Sequence, residues 1–210
     1  MKLIYLLASV LLLVKAYPDT NNTNDTWKII KNSPFCSCSA EFYYQQNNMD
    51  DGKVIRTGFL CPRYYYDLYD NQNIFQARGI TRVLSLGFFD CNLVDIDVYN
   101  NEDYIGKISG KIFTRSRAKF VFYNDFGMEI ANACLSEKTS IFLISSSNKV
   151  ITNFEGQFFG DQGCLEITFN SSENSTIHPS LIKIFAAFVS DYQKSFLPKP
   201  EKETHHHHYH

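Results

Sequence analysis

Five cationic side chains crowd the stretch GKISGKIFTRSRAKF: Lys107, Lys111, Arg115, Arg117 and Lys119, all at odd-numbered positions. Successive side chains of a strand point to opposite faces, so Lys107 and Lys111 are expected on one face, with Ile108 and Ile112 on the other. A turn near Thr114 to Ser116 would reset that alternation for the second strand. Such a cluster favours phosphate or sulfate groups electrostatically. The same residues would also suit a solvated strand face whose lysines keep a sheet edge from pairing with other chains.

Covalent chemistry has fewer resources. Before the C-terminal tail the only histidine is His178, so a Ser-His-Asp or Cys-His arrangement would have to use it. It precedes Pro179 at an expected helix start, where capping or simple exposure is the plainer role. No G-x-S-x-G elbow occurs. Asp95 and Asp97 flank Ile96 and would share one strand face, whereas glycosidase carboxylates face each other across a cleft. The chain therefore reads as non-enzymatic and without a cofactor. An enzyme would need a concave pocket lined by titratable groups, His178 among them.

Cys36, Cys38, Cys61, Cys91, Cys134 and Cys164 form an even set that permits complete pairing as disulfides, in an order the sequence does not choose. Cys36 and Cys38 lack a second close Cys/His pair to complete a tetrahedral set, so no metal site is expected. With Lys+Arg 20 against Asp+Glu 22 and a net charge of −2, the basic surplus of a duplex-binding domain is missing, and nucleic acid is not an expected partner.

The elements that must position these groups follow from a repeat. DLYDNQNIFQARG (67–79), DVYNNEDYIGKISG (97–110) and FVFYNDFGMEIANA (120–133) each set a tyrosine, Tyr69, Tyr99 or Tyr123, before two Asx residues, with Asn73, Asp103 or Gly127 shortly after. Asx and Gly tolerate the conformations that close a hairpin, and the flanking β-branched and aromatic residues suit strands. A looser copy, IFLISSSNKVITNFEG (141–156), turns at Ser145 to Asn148. Further strands are expected at 40–46, 53–59, 80–86 and 164–170, about ten to twelve in all. The 18 Phe and 13 Tyr agree with a mainly β chain. The expected architecture is a closed antiparallel barrel built from hairpins.

PSLIKIFAAFVSDYQKSF (179–196) departs from this pattern. Pro179 suits the first helical position, and LIKIFAAFV is apolar on nearly every face, as in a buried helix.

These hairpins, above all VDIDVYNNEDYIGKISGKIF (94–113) followed by AKFVFYNDFGMEIANA (118–133), and then the apolar C-terminal helix, resemble the tubby C-terminal-like superfamily. Its branches include tubby, LURP-one-related and phospholipid scramblase-like proteins. The resemblance spans roughly residues 60–195. It implies a helix threading a barrel and binding of lipid or protein at the barrel surface. Tubby domains bind phosphoinositides through basic residues, and the matching candidates here are Lys107, Lys111, Arg115, Arg117 and Lys119.

The N-terminal MKLIYLLASVLLLVKA reads as a signal peptide (1–16) with cleavage after Ala16, which implies export to a compartment where disulfides persist. Residues 17–35 read as a flexible polar segment, 36–197 as the barrel domain, and 198–210 as a disordered His-rich tail. The expected function is an exported binding module that recognises an anionic lipid, membrane or other anionic surface through the basic hairpin. The alternatives are a disulfide-stabilised structural or envelope-associated protein, or a domain that binds a protein partner. A binding patch requires the five cations to gather; a scaffold expects them dispersed.

Overall fold

The computed structural model describes residues 25–32, 39–58, 63–83, 93–111, 119–135, 142–147, 149–157, 164–169 and 177–191. Six strands occupy the first half: β1 Asp25–Asn32, β2 Ser39–Gln46, β3 Met49–Thr57, β4 Tyr65–Tyr69, β5 Phe75–Val83 and β6 Leu93–Asn100. Six more follow: β7 Asp103–Lys111, β8 Lys119–Asn124, β9 Glu129–Leu135, β10 Phe142–Ser146, β11 Lys149–Gln157 and β12 Cys164–Phe169. One helix, α1, spans Pro179–Asp191. The protein is mainly β, a single antiparallel sheet with one C-terminal helix among the described residues. Each strand pairs with its neighbour in sequence, and β1 pairs with both β2 and β12.

The Asx signals close hairpins as the repeat implies. Asn47 and Asn48 (φ 53° and 62°) join β2 to β3 with both central residues at positive φ, the geometry that matches the natural strand twist. Asn73, Asn101, Gly127 and Ser147 take positive φ in the next four turns. In the second of these the left-handed residue is Asn101 rather than the expected Asp103, which already belongs to β7. Each of these five hairpins also carries a register shift beside its turn, between Tyr44 and Gln45, Leu68 and Tyr69, Val98 and Tyr99, Phe122 and Tyr123, and Ile144 and Ser145. Such bulges bend strands and raise their twist.

The repetition is closer than the tyrosine spacing suggested. One and the same interval separates Gly52 from Gly106, Tyr69 from Tyr123, and Asp70 from Asn124. A Cβ on Gly52 would lie 2.2 Å from the Tyr69 carbonyl oxygen, and one on Gly106 would lie 2.2 Å from that of Tyr123. Asp70 Oδ1 accepts the N–H groups of Gln72 and Ile74 at 2.9 and 2.8 Å, while Asn124 Oδ1 accepts those of Phe126 and Met128 at 3.1 and 2.9 Å. The unit β2–β5 is thus built again as β6–β9.

The alternation of side chains sets the core. Phe42, Tyr44, Val54, Ile96, Val98, Ile108, Phe120 and Phe122 all point to the helix-bearing face and are buried. Phe185 of α1 meets the rings of Phe120, Phe122 and Phe154 at 5.1, 5.2 and 5.7 Å between centroids, and Phe188 meets Tyr66 and Phe120 at 6.4 and 5.8 Å. Ten of the helix's 13 residues are buried, so packing rather than intrinsic propensity holds a short helix containing Ile182, Ile184 and Val189. β5 approaches it closely enough that a Cβ on Gly79 would lie 2.6 Å from Ile184.

Two boundaries differ from expectation. Residues 25–32 were expected within a flexible segment, yet they form β1, in which Ile29 is 1% exposed against the core. Trp27 and Ile29 alone, in an Asn/Thr-rich stretch, are too weak a local pattern to mark a strand that forms because two partners await it. The described helix ends at Asp191, and its expected continuation to 196 lies outside the described residues, as do 1–16 and 198–210.

Candidate functional site

Of the five basic residues, the structure describes the side chains of Lys107 and Lys119 and the backbone of Lys111. Lys107 projects from the outer face of β7, half-buried, with Ile108 fully buried on the other face, as the alternation requires. Its backbone pairs with Asp97 on one side and Tyr123 on the other, and its Nζ sits 5.1 Å from the centre of the Tyr123 ring. Lys119 opens β8, exposed, and pairs with Cys134 of β9. Lys111 ends β7. The last paired residues of β7 and β8 are Gly110 and Phe120, so the backbones of Lys111 and Lys119 lie side by side immediately beyond them. Arg115 and Arg117 lie outside the described residues, as do Ile112 and the expected turn at Thr114 to Ser116.

The outer face beside Lys107 is already charge-compensated. Arg78 grips Asp67 with two hydrogen bonds, Nε at 2.6 Å and Nη2 at 2.9 Å, and lies over the rings of Tyr65 and Phe75. Arg82 binds Asp97, and the Ser109 hydroxyl donates to Asp95. The hydrogen bond to Asp67 raises the Arg78 pKa above its ordinary value, and that to Asp97 does the same for Arg82. Asp95 and Asp97 of β6 therefore each bond across to a neighbouring strand, to Ser109 and Arg82 respectively.

Both charged side chains of α1 emerge at an end of the helix. At the end of the sheet that carries the five hairpin turns, Lys183 Nζ lies 2.7 Å from Asp51 Oδ2, over the Trp27 and Tyr44 rings at 6.0 and 5.7 Å. The Tyr44 hydroxyl donates to the Lys183 carbonyl, and burial raises its pKa well above the ordinary tyrosine value, so it stays a donor. At the far end Asp191 gathers two cations. Lys31 Nζ donates to Oδ1 at 3.1 Å, the Tyr66 hydroxyl donates to Oδ2 at 3.2 Å, and Arg56 Nε lies 2.9 Å from Oδ2 in an ion pair whose angle falls short of a hydrogen bond. These cations also offset the negative end of the helix dipole.

A cavity of 370 Å³ adjoins the start of α1, lined by Asp51, Tyr69, Asp70, Gln76, His178 and Lys183 among others. A second, of 280 Å³, shares His178 and adds Tyr104, Asn124, Asp125, Ile130 and Leu181. Asp51, Asp70, His178 and Lys183, the titratable groups of the larger cavity that the hydrogen bonds reach, also serve the fold. Asp70 holds the β4–β5 turn with Oδ1 and takes the Gln76 amide at 2.8 Å with Oδ2. Asp51 is paired with Lys183. His178 Nδ1 accepts the Ser180 N–H at 3.2 Å, and its carbonyl accepts that of Leu181 at 3.0 Å, which makes it the cap of α1. The neutral ring then carries its proton on Nε2 and has no free lone pair to act as a base.

Capping by a neutral imidazole makes a pH prediction. Burial lowers the His178 pKa from 6.5. The unfolded chain then takes up a proton first as pH falls. The contribution of this cap is complete above the unfolded value and is lost as pH drops through the lower folded value. Melting temperature should decline between about pH 7 and 5, and His178→Asn, which caps without titrating, should flatten that decline. An unchanged slope in the variant would show that His178 is not the titrating group.

The sequence pointed to the cations of one hairpin but did not show their neighbours. It contained the carboxylates that neutralise the outer face, yet gave no register to pair them. No known protein family, curated protein or solved structure matches this chain. Among the described residues no three His, Cys, Asp or Glu side chains come close enough to hold a metal ion. Cys134 is exposed and free. The backbone of Cys164 begins β12, and Cys36, Cys38, Cys61 and Cys91 lie outside the described residues.

Proposed function

We propose that this protein is an exported, non-enzymatic binding module whose sheet is a closed, tubby-like barrel filled by α1, and that the β7–β8 hairpin reads an anionic lipid or other anionic surface. The pairing of β1 with both β2 and β12 supports the closed form. One observation carries the ligand assignment. The register leaves Lys111 and Lys119 on neighbouring strand ends, flanking a connection whose sequence supplies Arg115 and Arg117. Like charges on paired strands are unfavourable unless a counter-charge sits between them, and a phosphate group is such a counter-charge. Lys107 has an aromatic partner in Tyr123 and contributes less.

The test is binding of the mature chain to vesicles that differ only in anionic lipid, across a salt series. Binding that falls steeply with salt and is lost in a Lys111→Ala, Arg117→Ala, Lys119→Ala variant, but persists in Lys107→Ala, supports the reading. Absence of binding to every vesicle would sink it and leave the hairpin as a solvated face of a scaffold or protein-binding domain.

A further inference from the structure

Among the described residues, seven large apolar side chains are exposed, and six of them sit at or beside the five hairpin turns: Met49, Ile74, Tyr104, Phe126, Met128 and Val150. In an antiparallel meander these turns all lie at one end of the sheet, so the six side chains form a crown on a single rim. Phe126 is 80% exposed, Met49 68% and Met128 59%.

Tyr104 also meets the Tyr99 ring at 5.3 Å, but the turns do not require apolar residues at Ile74 and Met128. In the two equivalent turns the main-chain N–H groups of Ile74 and Met128 meet Asp70 and Asn124, and any residue supplies an N–H. Turn positions are ordinarily polar. Methionine adapts to varied partners on binding surfaces. The chain has three, and the two after the first residue are both in the crown.

The charges of this rim are equally one-sided. Asp50, Glu102, Asp103, Asp125 and Glu129 are exposed between the apolar tips, and Lys149 is the one basic residue that the sequence places in these turns. Inside the crown, Asp70 lines the 370 Å³ cavity beside the Asp51–Lys183 ion pair, and Asp125 lines the 280 Å³ cavity. An acidic rim repels anionic membrane and repels a second copy of itself. It complements a surface that presents apolar side chains among lysines and arginines.

We infer that the hairpin rim is a docking surface for a protein partner with a basic, apolar face. Phe126 and Met128 anchor the contact, and the rim carboxylates take the partner's cations. This surface lies at the opposite end of the strands from Lys111 and Lys119, and the inference stands or falls separately from the lipid reading.

The probe is a synthetic amphipathic helical peptide of Lys and Leu, with its Glu and Leu counterpart as control, titrated calorimetrically into the full chain. The Lys peptide should bind and the Glu peptide should not. Phe126→Ser with Met128→Ser should weaken binding at least ~10-fold, as should Glu102→Lys with Asp125→Lys. Lys119→Glu should leave binding unchanged. These side chains are exposed, so the variants should keep the wild-type melting temperature. The inference is overturned if the Lys peptide does not bind, or if it binds equally well to the rim variants. It is also overturned if the Phe126→Ser, Met128→Ser variant instead loses vesicle binding, or abolishes a concentration-dependent dimer of the wild type.

Discussion

Ala186→Asp is expected to destabilise the protein by more than about 4 kcal/mol, a large share of the stability of a domain of this size. Ala186 is fully buried in the middle of α1, between Phe185 and Ala187, which are equally buried. A carboxylate there would meet aromatic rings and the inward side chains of the sheet. Lys183 and Asp191 avoid this penalty because each reaches a partner at an end of the helix. Chemical denaturation of the variant, beside an exposed control such as Gln72→Asp, measures the difference. A midpoint equal to that of the wild type would mean that α1 does not fill the core.

Asp191→Ala should be nearly as costly, about 3–5 kcal/mol, for a different reason. The side chains of Lys31, Arg56 and Asp191 are only 19%, 13% and 11% exposed. Removing the carboxylate leaves two mostly buried cations facing the C-terminal carbonyls of α1 and each other. The ion pairs themselves contribute little net stability, since desolvation offsets much of their attraction. The loss comes from the charges left behind. Arg56→Met should therefore recover part of the stability of Asp191→Ala while destabilising the wild type, and a double-mutant cycle in denaturant measures that coupling. Strict additivity would show that the three groups do not act together.

Both expected effects rest on features with unequal visibility in the sequence. The hairpins were readable because Asx and Gly have a backbone reason to stand where the chain reverses, and that reason is local. The helix was readable because eight apolar residues in the nine positions 181–189, after Pro179, suit a buried element. β1 was not readable, since DTWKIIKN becomes a strand by pairing both with β2, next in sequence, and with β12, far away in the chain. The candidate site divides in the same way. The cations of the β7–β8 hairpin are close together in sequence and easily seen. Five of the six rim residues lie within the same repeats, at or beside an Asx or Ser turn, and Met49 lies outside them. Their signal would have been an apolar residue at a position where the turn geometry calls for none.

By itself the sequence determined what depends on neighbouring residues: the turns, the alternation that sends Ile108 and Lys107 to opposite faces, the all-round apolar helix, and the near-neutral total charge. Tertiary structure alone decided which charges meet. Asp97 is taken by Arg82, Asp191 by Lys31 and Arg56, and Asp51 by Lys183, because strand register and helix position bring together groups as much as 160 residues apart. It also decided that five turns scattered along the chain share one rim. A net charge of −2 averages over the whole molecule, and the order of strands in an antiparallel sheet separates that average into an acidic, apolar end and the end that bears Lys111 and Lys119.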